Sequence, residues 1–146
     1  MEIWEVGPEA TANLAGSSVQ RLAGDLAGRP TPGDGRIAGR VLTLAIELAH
    51  RAPVLHDISD GGLAVALAEI CIASGVGAEV EVEHPFSEDP HRFLAVADRG
   101  TLGLPGDIAR VVGVIGGPTV TVNGHAVPLE QCSDHWHNAL GRALAG

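Results

Sequence analysis

The chain has 146 residues and a formal net charge of −9, and arginine is its only permanently basic side chain. This length is typical of one domain, and an acidic chain without a basic cluster argues against binding to nucleic acid. Apolar residues make up 45% of the chain and aromatic residues only 3%. We therefore expect a core built from Ala, Val, Leu and Ile.

The apolar runs are short and interrupted, so we expect no membrane span and no membrane partner. The N-terminal sequence MEIWEVGPEA lacks the basic and apolar regions of a signal peptide. Cys71 lies in an apolar run, where a buried thiol is expected, and neither it nor Cys132 belongs to a CxxC pair. This cysteine usage fits a reducing compartment, and a cytoplasmic location is expected.

The first half of the chain alternates apolar segments with Gly- and Pro-rich turns. Residues 1–13 are expected to be an N-terminal extension or linker, and residues 14–146 the domain itself. Apolar spacing and turn residues predict a short helix over 18–27, a helix over 35–51, a strand over 54–58 and a helix over 62–74.

The second half is mainly β-structure that ends in a helix. Alternation and turn signals predict strands over 78–83, 93–97, 111–115, 119–122 and 126–127, with Asn123-Gly124 as a hairpin turn. A closing helix is predicted over 129–144, its inner face formed by Leu129, Trp136, Leu140 and Leu144. This order predicts an α+β fold, a mixed β-sheet with helices packed on one face.

The segment from His56 to Leu63 (HDISDGGL) carries the strongest functional signal. A strand end would deliver polar side chains to a tight turn, and two glycines would then open a helix. Glycine leaves backbone N–H groups uncovered at the positive end of the helix dipole, where phosphate can approach. Asp57 and Asp60 are candidate ligands for a Mg²⁺ ion attached to a nucleotide, since that ion takes few protein carboxylates.

A purely structural role explains the same residues equally well at this stage. Asp60 and Ser59 are both good helix N-caps, and a buried His56 can bond to the backbone. Near the C-terminus, His135 and His137 suggest a metal site, but residues two apart on a helix point in different directions. Stoichiometric zinc in the purified chain would support that alternative.

The run from Pro53 to Val82 closely resembles the helix-entry segment in the C-terminal domain of phosphoribosylformylglycinamidine synthase. Phe86–Leu94 (FSEDPHRFL) is similar to the Phe-Ser-Glu segment of that family, and Leu14–Ser18 is similar to its Gly-Ser loop. The similarity covers roughly residues 14–144. The related enzymes include aminoimidazole ribonucleotide synthase, selenophosphate synthetase and thiamine-monophosphate kinase.

This resemblance implies a fold like the aminoimidazole ribonucleotide synthase C-terminal domain. It implies ATP and Mg²⁺ as cofactors, both shared with a separate N-terminal-type domain, and a small ribonucleotide as substrate. The expected partners are that ATP-binding sister domain, a glutaminase subunit or domain, and a second copy of the chain in a homodimer. The expected site residues for substrate or nucleotide are His56, Asp57, Ser59, Asp60, Gly61, Gly62 and Glu88.

The family pattern implies ATP-dependent conversion of formylglycinamide ribonucleotide and glutamine-derived ammonia to the amidine. We expect the chain alone to be inactive, because the ATP-binding domain is a separate one. A non-catalytic structural module, or a domain of a related synthetase or kinase, stays open as an alternative. Two departures from the family pattern are Ser18, where relatives carry Glu, and a Gly/Pro-broken stretch over 99–106, where relatives carry a helix.

Overall fold

The computed structural model describes residues 1–145. Seven strands and four helices follow one another in this order: β1 (Glu2–Val6), α1 (Ser18–Ala23), α2 (Gly35–Ala49), β2 (Val54–Asp57), α3 (Gly62–Ser74), β3 (Ala78–Val80), β4 (Phe93–Ala97), β5 (Ala109–Ile115), β6 (Thr119–Val122), β7 (His125–Pro128) and α4 (Leu129–Ala145). All predicted elements are present, and where their ends differ from the prediction they differ by a few residues. The stretch over 99–106 contains turns and bends instead of a helix.

The seven strands form one mixed sheet in the order β2-β4-β1-β5-β3-β6-β7. Neighbours are antiparallel except β3 and β6, which are parallel. The hairpin between β6 and β7 turns at Asn123 and Gly124, both with positive φ (50° and 76°). This is the backbone that an Asn-Gly hairpin turn requires. The α+β class and the mixed sheet are confirmed.

The helices lie on both faces of this sheet, which corrects the expectation that they share one face. Along β4, Leu94 and Val96 pack in the cluster with α3, whereas Ala95 and Ala97 pack with Leu48 of α2. Successive strand residues point to opposite faces, so the two clusters lie on either side of the sheet. The FLAVA sequence of β4 is apolar throughout because it is covered on both faces.

Strand β1 lies in the middle of the sheet, between β4 and β5. The expectation that residues 1–13 form an extension or linker is therefore corrected for Glu2–Val6. Ile3 and Val6 are fully buried in the two opposite clusters. Only five residues long, this strand gave a weak sequence signal, and the contacts that place it come from β4 and β5, more than 85 positions later.

Helices α3 and α4 differ sharply in burial. The predicted inner residues of α3, Leu63, Leu67, Ile70 and Cys71, are all buried. In α4, only the first turns contact the core, through Leu129 and Cys132. The other predicted inner residues are exposed, Trp136 by 58%, Leu140 by 71% and Leu144 by 79%. The prediction of an inner face on α4 is wrong beyond its first turns.

Candidate functional site

The HDISDGGL turn joins the end of β2 to the start of α3. Gly61 and Gly62 both have positive φ, 83° and 68°. A Cβ atom on Gly62 would lie 2.7 Å from the Pro85 carbonyl oxygen. The two glycines are therefore required by backbone conformation and by the close approach of the Pro85–Phe86 segment.

The backbone N–H groups at this helix entry are largely satisfied from within the chain. Gly61 donates to Glu88 Oε1 at 2.7 Å, Gly62 to the Ser59 carbonyl at 2.9 Å and Ala64 to the Pro85 carbonyl at 3.0 Å. The sequence-based picture of uncovered N–H groups awaiting phosphate is thus corrected. A carboxylate of the chain itself occupies the position that was expected to be open to an anion.

Glu88 connects two loops that are distant in sequence. The same Oε1 atom accepts from the N–H of Ser18 at 2.8 Å, so it ties the start of α1 to the start of α3. Burial raises the pKa of Glu88, but the N–H groups of Gly61 and Ser18 outweigh burial and hold the pKa below its ordinary value. Glu88 is therefore an ionised, positioned carboxylate.

The acidic side chains of the turn point into solvent. Asp57 Oδ2 accepts from the Ser59 hydroxyl at 2.9 Å, and its side chain is 64% exposed. Asp60 is 83% exposed and pairs with Arg21 at 3.3 Å. Arg21 also donates to Ser18 Oγ at 2.8 Å. Sequence reasoning missed Arg21, because the contact joins residues 39 positions apart.

His56 lies in a different environment from the rest of the turn. It lines a groove with Glu69 and Trp136, whereas Asp57 borders a separate small cavity beside α2. His56 Nε2 lies 3.5 Å from Glu69 Oε2, and Nδ1 lies 2.7 Å from the Asp57 carbonyl oxygen. The structure brings Ser59, Gly61, Gly62 and Glu88 into one corner but turns His56 away from it.

A buried ion-pair cluster lies next to the loop that carries Glu88. Glu5 Oε1 accepts from Arg92 Nη2 at 2.6 Å and from Nε at 2.8 Å, while Oε2 accepts from Arg110 at 2.7 Å. Arg92 also donates to the Ser87 carbonyl at 3.0 Å, which fixes the loop that carries Glu88. Glu5 and Arg92 are almost fully buried. A charged residue inside an apolar strand was the available signal for Glu5, and it was overlooked.

Asp89, next to Glu88, anchors the segment that follows β1. It accepts a hydrogen bond from the Thr11 N–H at 2.6 Å. Burial raises the pKa of Asp89, but bonds from Thr31 and Thr11 more than offset burial and hold the pKa below its ordinary value. The loop over 87–92 therefore organises three neighbouring segments at once.

Neither the turn nor the C-terminal histidines form a metal-binding cluster among the described residues. Across residues 1–145, no group of three or more His, Cys, Asp or Glu side chains is arranged to hold a metal ion. The nearby His137 bonds through Nδ1 to the Ser133 carbonyl at 2.8 Å. Within the same residues, no helix is both long enough and apolar enough to cross a membrane.

A family model matches residues 16–111: the AIR synthase related protein, C-terminal domain. The phosphoribosylformylglycinamidine synthase subunit PurL of Rhodospirillum rubrum is 41% identical over 98 residues, which is 56% of this chain and 13% of that protein. The PurL subunit of Methylocella silvestris is 39% identical over 124 residues, 74% of this chain and 17% of that protein. The chain thus spans less than a fifth of either relative.

Solved structures share the fold. Thermotoga maritima PurL complexed with FGAR superposes with a TM-score of 0.70 at 17% identity, covering 90% of this chain and 27% of that one. The hydrogenase maturation protein HypE gives a TM-score of 0.55 at 17% identity, covering 88% of this chain and 51% of that one. At this identity the likeness concerns the fold alone.

Proposed function

The chain belongs to the AIR synthase related protein C-terminal domain family, and we propose that it acts as the C-terminal domain of a phosphoribosylformylglycinamidine synthase. In this role it contributes to ATP-dependent conversion of formylglycinamide ribonucleotide to the amidine in purine biosynthesis. The two relatives named above carry that enzyme's name. The chain supplies one wall of a cleft and is inactive alone.

The observation that carries this proposal is the corner formed by the turn, Glu88 and Arg21. Glu88 accepts hydrogen bonds from the N–H groups of Gly61 and Ser18, so it fixes two loops side by side. Arg21 then lies beside Asp60 with an exposed guanidinium. The corner thus presents one guanidinium, of Arg21, and the exposed carboxylates of Asp57 and Asp60. These groups suit a substrate that combines phosphate and ribose hydroxyl groups.

Arg21 is the residue of this corner best suited to a phosphate. Its guanidinium offers several N–H donors in one plane, and 54% of its side chain is exposed. A phosphate would replace Asp60 as its partner, and Asp60 would then be released. Ser59 and the two glycines hold the turn in the shape that keeps Asp60 beside Arg21.

The donor chemistry of the turn fits a Mg²⁺ ion carried by a nucleotide. Asp57 and Asp60 are exposed carboxylates, and Mg²⁺ usually keeps several waters and takes one or two protein carboxylates together with substrate phosphates. Bound there, Mg²⁺ would neutralise phosphate charge on ATP. The nucleotide itself would be held mainly by an ATP-binding sister domain, and ammonia would come from a glutaminase subunit or domain.

A second candidate is a structural module with a non-catalytic pseudo-site. The N–H groups at the start of α3 are already used by Glu88, Ser59 and Pro85. A helix entry satisfied in this way can serve stability alone. In that case the corner would bind neither the ribonucleotide nor Mg²⁺-ATP.

Calorimetric titration separates the two candidates. The chain is titrated with formylglycinamide ribonucleotide and with Mg²⁺-ATP, first alone and then mixed with the remaining domains of a synthase. We expect saturable binding in the mixture and no turnover by the chain alone. Arg21→Ala should weaken binding of the ribonucleotide about tenfold, and Asp60→Ala should weaken binding of Mg²⁺-ATP about tenfold, the loss expected for one interaction with a charged group.

Arg40 provides a matched control, because it is an exposed arginine paired with an exposed aspartate, Asp107, at 2.8 Å. Arg40→Ala should leave binding unchanged. Absence of binding even with the remaining domains present would rule out a role as one wall of a substrate cleft. It would favour the structural module. Equal losses for Arg21→Ala and Arg40→Ala would mean that net charge, and not the corner, governs binding.

A further inference from the structure

A groove of about 640 Å³ lies between the start of β2, the second half of α3 and the middle of α4. Val54, Ile70 and Ala73 supply apolar surface, and Trp136 forms a wall. Its volume falls within the range of small-molecule sites, about 300–1,000 Å³, which are lined mostly by apolar and aromatic residues with a few polar groups.

Two polar groups of this groove face each other without a hydrogen bond between them. His56 Nδ1 contacts the Asp57 carbonyl oxygen at 2.7 Å, and a carbonyl can only accept, so Nδ1 carries the proton. In the neutral ring, Nε2 is then an acceptor. It lies 3.5 Å from Glu69 Oε2, which is also an acceptor. Neither Nε2 of the neutral ring nor Glu69 Oε2 has a proton to donate to the other.

Both side chains remain accessible, His56 with 31% and Glu69 with 29% of the side chain exposed. A planar head with two neighbouring nitrogens can donate one N–H to each acceptor, in the forked manner of a guanidinium on a carboxylate. A positive charge on that head matches Glu69, and Trp136 offers an aromatic face to a flat cation or to the ring that bears it.

We propose that this groove binds a small organic cation with an amidinium or guanidinium head on an apolar body. The head bonds to Glu69 and His56 Nε2, and the body lies on Val54, Ile70 and Trp136. No residue that lines the groove bonds to Glu88. Binding in the groove therefore does not depend on the synthase function.

Fluorescence of Trp136 tests the proposal with benzamidine as the probe. The chain has two tryptophans, and Trp4→Phe leaves Trp136 as the single reporter. Trp4 Nε1 has no hydrogen-bond partner, so the fold should tolerate its replacement. The titration is run at pH 8. Benzamide, which is flat but neutral, and benzylamine, which has one nitrogen, are compared.

We expect saturable binding of benzamidine, with benzamide and benzylamine at least tenfold weaker. Glu69→Gln should weaken benzamidine at least tenfold, since it removes a hydrogen bond to a charged group. Glu130→Gln is the matched control, an exposed carboxylate on α4 outside the groove, and should bind as the parent does. Circular dichroism confirms that each variant is folded.

A second measurement does not depend on any variant. The ¹⁵N resonance of His56 Nε2 should shift as benzamidine is added, while Nδ1 keeps its proton. Equal binding of benzamide and benzamidine, an unaffected Glu69→Gln variant, or an unmoved Nε2 resonance would each overturn the proposal. No binding at millimolar benzamidine would overturn the proposal as well. The same holds if sedimentation shows a dimer that buries Trp136 and so prevents binding.

Discussion

Helices α3 and α4 both carry apolar side chains at helical spacing, yet only α3 is enclosed by the fold. α3 crosses one face of the sheet, and its residues Leu63, Leu67 and Ile70 are buried. α4 begins against the same cluster through Leu129 and Cys132, but residues 134–145 are exposed throughout. We call residues 134–145 the overhang of α4.

The difference teaches that helical periodicity identifies an apolar face without showing that the same chain covers it. The overhang presents Trp136, Leu140 and Leu144 at positions i, i+4 and i+8, one continuous stripe. Contiguous exposed apolar surface of this kind is typical of an interaction surface. A sister domain or a second copy of the chain, both expected from the sequence, stay predictions for the partner.

The largest expected contrast comes from the same substitution on each helix. Leu67→Ala on α3 removes a fully buried side chain and should lower the free energy of unfolding by about 2–5 kcal/mol. Leu140→Ala on the overhang should change it by less than about 0.5 kcal/mol. Urea denaturation of both variants at low protein concentration measures the difference. Similar losses at both positions would show that a partner or the core covers the overhang.

The entry to α3 gives the next largest effect. Gly62→Ala combines a positive φ with a Cβ placed against the Pro85 carbonyl, and we expect a loss of about 2 kcal/mol or more in the free energy of unfolding. Gly39→Ala in α2 is the matched control, because a Cβ there meets nothing within 4 Å. It should stabilise by about 0.5–1 kcal/mol. Thermal denaturation of both variants checks the opposite signs.

Glu88→Gln should cost about 1–2 kcal/mol at pH 7, because a charged acceptor for Gly61 and Ser18 becomes a neutral one. The pKa of Glu88 is lowered in the folded state, so its contribution is complete above the unfolded value of about 4.3. The contribution disappears as pH falls through the lower folded value.

Urea denaturation of parent and Glu88→Gln at pH 7 and near pH 3 measures this change. The gap in free energy of unfolding should narrow at the acidic pH. Glu79→Gln, an exposed residue of β3, should show no gap at either pH. A gap for Glu88→Gln that stays constant with pH would contradict an ionised tie between the two loops.

The last comparison between the two helices concerns their thiols, one on each helix. Burial, with a further contribution from Cys132, raises the pKa of Cys71 to about 11, so Cys71 remains a thiol at pH 8. Cys132 on α4 is only half-buried. We expect Ellman's reagent to modify Cys132 in the native protein, and Cys71 at least a hundredfold more slowly until urea unfolds the chain. Equal native rates, with Cys132→Ser as reference, would show that α3 opens readily.

Local patterns in the sequence were sufficient for most elements of the fold. The limits of α3 follow from Gly61, Gly62 and Gly75, whose backbone conformations other residues rarely adopt. The hairpin at Asn123-Gly124 follows in the same way, and so does the burial of Leu67 and Cys71. These features depend on residues within a few positions of one another, which a single sequence displays directly.

The candidate site was predicted only in part. The family pattern pointed to Gly61, Gly62 and Glu88, and the structure joins Glu88 to Gly61 by a hydrogen bond. It gave no sign that Glu88 would occupy the N–H groups assigned to phosphate, or that His56 would turn toward Glu69. Both outcomes depend on which strand end faces which helix, and that is a property of packing.

The sequence by itself determined the α+β class, the tight turn before α3 and the net acidic charge of the chain. Only the tertiary structure decided that β1 lies at the centre of the sheet, that Arg21 meets Asp60, and that the overhang of α4 has no cover among residues 1–145. The physical reason is distance along the chain. Contacts between residues tens of positions apart form when complete layers pack, and no local spacing encodes them.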